Sequence, residues 1–349
     1  MNCFLGVVWA CAVAQSCSSD NATPPAAGSG GTVSPAGSGG TASPAGSGAV
    51  SAPVTPSATG FVAGWNPPAA TTGYTRLAVP MVKGVGAGSD ISYCQYIQGP
   101  LDHDVDVLDV QGSQSPGGHH AVAYASTSTA PVGASRLCTE EDNVSQGGFL
   151  GGIGGEGSGG VKLPDGVAFR LPKGSSVMLN THFVNTTDNM LDGQTAIDFK
   201  FVEVDGKRVI ASLFSNGNVS FNLPAHAKNT LTAECTLPRD FKFILFSNHM
   251  HDHGSYAKTE VVHADGSVDL VHEDPTWTWE MQFNAVYSKW TLDKPLVVAK
   301  GDRLRTQCDW ENTGATALTF PSEMCFGIGF FLSDGSSSPV CLEGKWLER

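Results

Sequence analysis

Short runs in which apolar and polar residues alternate follow one another along the chain from about Tyr74 onward. A period of two residues is typical of strands that bury one face. Clear examples are Val177–Val184, Ala196–Val204, Phe241–Phe246 and Phe326–Leu332. Asp-Gly pairs, which favour hairpin turns, separate several of these runs. Because no amphipathic pattern long enough for a helix is evident, the sequence predicts an all-β fold.

Length indicates the number of domains. The chain has 349 residues, enough for two domains of roughly 150 residues each. Together with the strand pattern, this predicts two tandem antiparallel β-sandwich domains of jelly-roll-like type. A boundary near Asp205–Lys207 would divide the folded part into a first domain, residues 71–205, and a second, residues 206–345.

A glycine-rich segment, residues 147–160, interrupts the first of these domains. It contains a GxGxxG pattern at Gly152–Gly157, which would cradle phosphate only between a strand and a helix. The residues after it do not have a helical pattern. We therefore predict a flexible loop without a phosphate site.

The N-terminal residues resemble an export signal. Phe4–Ala14 is an apolar stretch too short to cross a bilayer and placed like the core of a signal peptide. The small residues after it end at Cys17, as in a bacterial lipoprotein processing site. We expect residues 1–17 to form this signal and processing site, with ordinary cleavage and no lipid as the alternative. The protein would then be an outer-membrane or cell-surface lipoprotein, or a periplasmic or secreted protein.

Residues 18–70 differ in composition from the rest. Between Asn21 and Gly60 the chain has no charged and no aromatic residue, and GSGGTVSPA is repeated as GSGGTASPA. Such a stretch lacks the large apolar side chains that would offset the entropy cost of ordering. We predict a disordered Gly/Ser/Pro/Ala tether.

Charge and cysteine content narrow the function classes. The formal net charge of −13 makes a nucleic-acid partner improbable, since such partners require cationic surfaces. Six cysteines remain after Cys17, an even number that indicates disulfides in an exported protein. None lies in a CxxC motif, which argues against a thiolate zinc site. Spacing alone leaves all 15 pairings of six cysteines open.

The histidines are the main candidates for chemistry. His249 and His251 stand two apart at the end of a strand-like run, and period two places both imidazoles on one face. Such a pair is a ready chelate for zinc, copper or iron. His253 shares this parity, but the adjacent Gly254 indicates that the chain turns there, so we expect it outside the ligand set. The apolar residues of the same face would be Phe241, Phe243 and Leu245.

Three other histidines and a methionine are weaker candidates when taken singly. His119 and His120 are adjacent, so both could bind one metal only across an irregularity in the strand, which the preceding Pro-Gly-Gly could supply. His182 stands alone in a strand-like run. Met324 shares strand parity with a series of apolar residues and would ordinarily be core. Its soft sulfur would favour Cu(I) over zinc if it met a histidine pair.

The candidate ligands lie in four motifs that occur in a characteristic order along the chain. They are GGHHAVAY, LNTHFVN, the HxHxxG of His249–Gly254 and the EMC of Glu323–Cys325. In this order they resemble the copper type II, ascorbate-dependent monooxygenases, the family of peptidylglycine α-hydroxylating monooxygenase and dopamine β-monooxygenase. The stretches LPAHAKNTLTAECTLPRDFKFILFSNHMHDHG and VAKGDRLRTQCDWENTG also look like the second domain of that family. The resemblance covers roughly Tyr74 to Leu342.

The resemblance implies two separate copper sites. It places an electron-transfer copper in the first domain and a catalytic copper in the second, with an external reductant such as ascorbate recharging both. The first copper would be held by His119, His120 and His182. The second would be held by His249, His251 and Met324, which would be the catalytic residues. The family's disulfide pattern implies the pairs Cys94–Cys138, Cys235–Cys341 and Cys308–Cys325.

The implied activity is hydroxylation of a substrate C–H bond with O2 and a one-electron donor. Peptidylglycine-type members place polar residues where this chain has Ser247, Phe326 and Ile328. We therefore expect a small apolar or aromatic substrate, with Phe326 and Ile328 lining its cleft. The segment with Trp277 and Trp279 is a weaker candidate for the same lining. No nucleic-acid partner is expected, and contact with a membrane would occur only through the lipid anchor.

Two rival functions use the same residues. A non-catalytic copper-binding or surface-recognition β-sandwich lipoprotein would keep the ligands without turnover. A zinc hydrolase would not depend on Met324 and would need a general base, for which Asp252 and Glu323 are the candidates. The remaining histidines have no partner at metal spacing and are expected at surface or core positions: His103, His226, His263 and His272.

Overall fold

The structure is a computed structural model that describes residues 61–139, 142, 147–155, 160–335 and 337–348. The predicted signal peptide, and the predicted tether up to residue 60, lie outside these ranges. The described residues belong to one compact unit. None of their helices is long and apolar enough to cross a membrane.

Antiparallel strands dominate the described residues, which confirms the all-β prediction. The strands before residue 205 are β1 (Thr75–Leu77), β2 (Val82–Val85), β3 (Asp90–Gln98), β4 (Val105–Gln114), β5 (Gly118–Ser126), β6 (Ser135–Leu137), β7 (Phe149–Gly154), β8 (Val167–Leu171), β9 (Ser176–Val184), β10 (Leu191–Gly193) and β11 (Thr195–Glu203). The later strands are β12 (Val209–Asn218), β13 (Ala227–Thr236), β14 (Phe241–His249), β15 (Gly254–Val262), β16 (Val268–Asp274), β17 (Ser288–Lys289), β18 (Leu296–Val298), β19 (Arg303–Asn312), β20 (Cys325–Ser333), β21 (Val340–Leu342) and β22 (Lys345–Leu347). A short 3₁₀ helix, Trp279–Gln282, lies between β16 and β17.

Three larger sheets build the sandwich, and β2 and β10 form a separate two-stranded sheet. A five-stranded sheet has the order β6-β3-β9-β5-β7, and a four-stranded sheet has the order β13-β19-β15-β16. The largest sheet follows the path β1-β11-β4-β8-β12-β20-β14-β17, so strands from both sides of residue 205 share it. They are joined where β8 runs parallel to β12. The division into domains 71–205 and 206–345 stays a prediction.

Two apolar cores lie between these sheets. In the first, Leu179 of the five-stranded sheet packs with Phe199 and Phe330 of the largest sheet. In the second, Phe243 and Phe331 of the largest sheet pack with Leu304 of the four-stranded sheet. Face-to-face sheets with interdigitating inner residues define a β-sandwich.

A register shift in β14 distributes its apolar residues between the two cores. The pairing with β20 slips between Phe243 and Leu245. Phe243 therefore faces the second core, together with Phe241, whereas Leu245 joins the first. The expectation that Phe241 and Phe243 share the face of His249 was wrong. One inserted residue reverses which face the following side chains occupy.

The described part of the glycine-rich segment is also ordered. Phe149–Gly154 is strand β7, paired with β5, and is not the flexible loop that composition suggested. Its glycines allow close approach of neighbouring residues: a Cβ on Gly151 would lie 2.4 Å from a methyl carbon of Val110. Residues 156–159 lie outside the described residues, and with them part of the GxGxxG pattern.

All three disulfides implied by the family resemblance are formed. Cys94–Cys138 joins β3 to the segment after β6, Cys235–Cys341 joins β13 to β21, and Cys308–Cys325 joins β19 to the start of β20. The last pair places Met324 next to a covalent anchor. Disulfides are typical of proteins that fold in oxidising compartments.

Candidate metal centre

Three imidazoles converge between β5 and β9. His119 and His120 lie on β5, and His182 lies opposite His120 on β9. The register of these strands shifts between Gly118 and His120, which is the irregularity that the preceding Pro-Gly-Gly predicted. As a result, adjacent residues turn their rings toward a common point, with centroid separations of 4.6–5.2 Å. One nitrogen from each ring lies within 4.8 Å of the others.

The hydrogen bonds around His182 identify its ligand atom. Its Nε2 lies 2.5 Å from Oδ1 of Asp90, and since a carboxylate accepts, Nε2 carries the proton. Its Nδ1 is buried and has no hydrogen-bond partner among the described residues. An unpartnered buried nitrogen is costly, and a metal ion would satisfy it. The Nδ1 atoms of His119 and His120 lie 3.1 Å apart, so these two ring nitrogens face each other on the inside of the cluster.

A second pair of imidazoles forms where β14 ends. His249 is the last residue of the strand and His251 lies in the turn after it, with perpendicular rings 5.2 Å apart. Nδ1 of His251 lies 3.2 Å from the carbonyl oxygen of Ser322, whereas its Nε2 is buried without a partner among the described residues. The backbone N–H of Gly254 bonds to the carbonyl oxygen of His251, which is the turn that Gly254 predicted. Nε2 of His251 is therefore the nitrogen available to a metal.

Burial keeps these imidazoles neutral. Loss of hydration, together with the neighbouring histidines, lowers the pKa of His119 to about 4 and that of His249 to about 3. Burial likewise lowers the pKa values of His120 and His251. Neutral imidazole is the form that coordinates metals. A metal ion would not have to displace a proton from these rings at neutral pH.

A buried carboxylate holds the second pair and the methionine together. Glu323 is fully buried, and its Oε2 accepts hydrogen bonds from the backbone N–H of His251 at 3.0 Å and of Met324 at 3.3 Å. Oε2 also accepts from the indole of Trp310, and Oε1 accepts from the backbone N–H of His253. These four donors surround the carboxylate. The structure thus ties Glu323 to the backbone, which is not the role of a general base.

The two ligand sets are neighbours. The ring centroid of His119, from the first set, lies 5.6 Å from that of His251, from the second. Met324 lines one cavity with His249 and a second, smaller cavity with His182. The structure therefore gathers all six predicted ligand residues into one region.

A cavity of about 600 Å³ opens beside His249 and Met324. Its floor is one face of β12, β14 and β20, whose cross-strand neighbours form successive rows leading away from His249. Those residues are Phe326, then Ser247, Ile328 and Ser215, then Phe330 and Leu213. Tyr124 and Tyr287 contribute further aromatic surface. Phe326 and Ile328 line the cavity as predicted.

Neither tryptophan of the weaker candidate segment lines this cavity. Trp277 is 5% exposed, and its indole donates to the carbonyl oxygen of His251, so it supports the ligand turn from behind. Trp279 is 56% exposed. The remaining histidines lie outside both sets and bond to other groups, as for His103 with Asp102 and His272 with Ser288.

Sequence reasoning missed Asp90 and Gln282, which bond to His182 and His119. Asp90 is 92 residues from His182 and Gln282 is 163 residues from His119. No motif or period links residues so far apart. Pairing of β3 with β9, which places Asp90 opposite Val184, is what brings the first contact about.

No protein-family model matches the chain, and no curated protein matches it. Among solved structures, the VP2 subviral particle of infectious bursal disease virus is similar at 9% identity, over 77% of this chain and 75% of that chain, with a TM-score of 0.19. The Gx strain of the same virus is similar at 8% identity, over 76% and 74% of the two chains, with a TM-score of 0.18. These scores are too low to support an argument about fold or function.

Proposed function

We propose that this protein is an exported, copper-dependent monooxygenase that hydroxylates a C–H bond of a small apolar or aromatic substrate. The observation that supports it is one cluster with three imidazoles on one side and two imidazoles with Met324 on the other, opening to an apolar cavity. In the overall reaction, substrate C–H, O2, two protons and two electrons give C–OH and water. Two molecules of a one-electron reductant, such as ascorbate, supply the electrons.

The donor atoms favour copper over zinc. A thioether is a soft ligand that suits Cu(I), and imidazole binds copper well, whereas structural zinc sites use thiolate and imidazole. All six cysteines of the described residues are in disulfides and have no thiolate to offer. Copper at the second set would supply O2 activation, and copper at the first set would store an electron.

The protein's own residues prepare this site. Asp90 fixes which nitrogen of His182 carries the proton, and Glu323 fixes the backbone that carries His251 and Met324. Burial holds the imidazoles in the neutral form. The walls of the cavity would exclude water and hold the substrate C–H beside His249 and Met324.

The lining of the cavity supports the choice of substrate. Ser247, Phe326 and Ile328 offer no charge that could pair with a peptide carboxylate. The charged side chains among the lining residues are Asp109 and Lys162, on strand β4 and on the segment before β8. Rings of Phe149 and Phe330, 5.5 Å apart, form an aromatic wall. A neutral, partly aromatic molecule complements the aromatic wall and the uncharged floor beside His249.

The proposal is tested by reductant-dependent O2 consumption of the copper-loaded protein with a panel of small aromatic compounds. We expect Met324→Ala to abolish consumption while copper at the three-histidine set is retained. Copper binding at both sets without any consumption would instead favour a non-catalytic copper-binding lipoprotein. Zinc retention that is insensitive to Met324→Ala would favour a hydrolase. Either outcome contradicts the proposed monooxygenase.

The substrate class has its own test. A peptide ending in glycine should be hydroxylated less efficiently than the best small aromatic compound. Equal or better hydroxylation of the peptide would contradict the assignment.

A further inference from the structure

The 3₁₀ helix Trp279–Gln282 reaches across to the three-histidine set from the later part of the chain. Oε1 of Gln282 lies 3.1 Å from Nε2 of His119, and the ring of Phe283 packs edge-on against the same imidazole at 4.9 Å. Close approach is possible because residue 154 on β7 is glycine: a Cβ there would lie 2.7 Å from Cβ of Phe283. The helix is thus packed directly against a proposed ligand.

The other end of the Gln282 amide is bonded to the ligand turn of the second set. Its Nε2 donates to Oδ1 of Asp252 at 2.6 Å, and Asp252 directly follows His251. Gln282 therefore bridges His119 of the first set and the segment that carries His251. Ring contact between His119 and His251 accompanies this bridge.

The carboxylate of Asp252 determines how the Gln282 amide is oriented, and the amide in turn determines which nitrogen of His119 carries the proton. A carboxylate only accepts hydrogen bonds, so the NH2 group of Gln282 must face Asp252. The carbonyl oxygen of Gln282 then faces His119 and can only accept, so Nε2 of His119 must be the donor. A neutral imidazole with its proton on Nε2 presents an unprotonated Nδ1. That Nδ1 is the atom that faces His120 inside the cluster.

We propose that Gln282 is a positioning residue that, set by Asp252, fixes His119 in the Nε2–H tautomer and so completes the three-histidine set. Asp90 performs the equivalent task for His182, but it comes from the same sheet. Gln282 comes from the segment that supports the second set, so the first ligand set depends on the later half of the chain. The tautomer assignment follows from the hydrogen bonds alone, whereas the expected effect on copper affinity rests on the proposed function.

The tautomer is tested in the metal-free protein by long-range ¹H–¹⁵N correlation spectra of ¹⁵N-labelled histidines, with the His119 signals assigned from their loss in His119→Gln. We expect His119 to be in the Nε2–H form in the wild type and to become a mixture of both tautomers in Gln282→Met, which keeps the length of the side chain but not its hydrogen bonds. Glu280→Gln is the matched control, since Glu280 is exposed on the same helix, and it should leave the spectrum of His119 unchanged. An Nδ1–H form in the wild type, or an unchanged tautomer in Gln282→Met, would overturn the proposal.

A second measurement asks whether the tautomer matters for metal binding. Competition titration with a Cu(II) chelator, in a His249→Ala, Met324→Ala background that removes two ligands of the second set, should give a 10–100-fold weaker affinity for Gln282→Met, the loss typical of partners behind a metal ligand. Glu280→Gln should leave the affinity unchanged. A changed tautomer with unchanged affinity would overturn the positioning role. If the wild type binds no copper, the proposed function fails while the tautomer result stands by itself.

Discussion

Carboxylates outside the two ligand sets hold the geometry of the candidate centre at the scale of single residues. Asp90, which is half exposed, holds the ring of His182. The buried Glu323 accepts from four N–H groups, three on the backbone that carries His251 and Met324 and one on the indole of Trp310. A buried carboxylate is stable only when such donors replace its hydration. Glu323 is therefore expected to affect stability and metal affinity together.

Replacing Glu323 by Gln tests how much its buried carboxylate contributes to stability. The amide would direct an NH2 group at N–H donors and lose the charge that strengthens their bonds, so the free energy of unfolding should fall by about 2 kcal/mol. Urea denaturation of the metal-free protein measures it. Glu311→Gln is the control, because Glu311 pairs with Lys228 at the exposed surface and such pairs contribute less than about 1 kcal/mol. Equal effects of the two substitutions would contradict the role given to Glu323.

Neutral histidines predict how the stability of the metal-free protein depends on pH. The pKa of His119 is about 4 and that of His249 about 3 in the folded state, against 6.5 for a free histidine. Below about pH 6.5 the unfolded chain binds protons that the folded chain does not, so stability should fall as pH is lowered toward about 4. Urea unfolding midpoints measured between about pH 6.5 and about pH 4 would show this loss of stability. In the double variant His119→Gln, His249→Gln the fall should be shallower; an equally steep fall would mean that other groups cause it.

The residue types of the centre were predictable from sequence, but their supporting partners were not. The doublet His119–His120, the pair His249 and His251 and the position of Met324 follow from motifs that a short stretch of sequence displays. Asp90 and Gln282 reach their histidines across 92 and 163 residues, and Glu323, although it stands in the EMC motif, reaches the backbone of His251 across 72. Only the fold brings such partners together, so no local pattern reveals the contact.

At the scale of elements, the sequence predicted which apolar segments form strands but not their register. The four strands singled out by their patterns all form, with ends that differ by at most three residues. The slip between Phe243 and Leu245 in β14 was not predictable, because an apolar residue occupies both faces there. The ordered strand β7 was also missed, since glycine has low intrinsic preference for strands and packing overrides it.

The close approach of β7 to the segment after the 3₁₀ helix gives a prediction for this element. In Gly154→Ala the new Cβ would lie 2.7 Å from Cβ of Phe283, and overpacking should lower the free energy of unfolding by about 1–3 kcal/mol. Gly148→Ala is the matched control, with its nearest contact an ordinary 3.7 Å from Cβ of Ala125. Thermal unfolding of both variants provides the comparison. Equal melting temperatures would show that β7 and this segment do not require a glycine.

At the scale of the whole molecule, the parts of the chain before and after residue 205, which carry the two ligand sets, share one sheet and one core. Strands from both sides of residue 205 build the largest sheet, and Phe199 and Phe330 meet in one core. The all-β class followed from sequence because period-two patterns are numerous, whereas the sharing of a sheet depends on the contact between β8 and β12, which involves only two residue pairs. A centre built between these parts should keep both ligand sets at a fixed separation.

Metal content of the purified protein after copper loading and removal of loosely bound ions tests the central claim most directly. We predict about two tightly bound coppers per chain, one for each ligand set. His182→Ala and His251→Ala should each reduce this to about one, at different sets. One retained zinc, or no tightly held metal, would contradict the account.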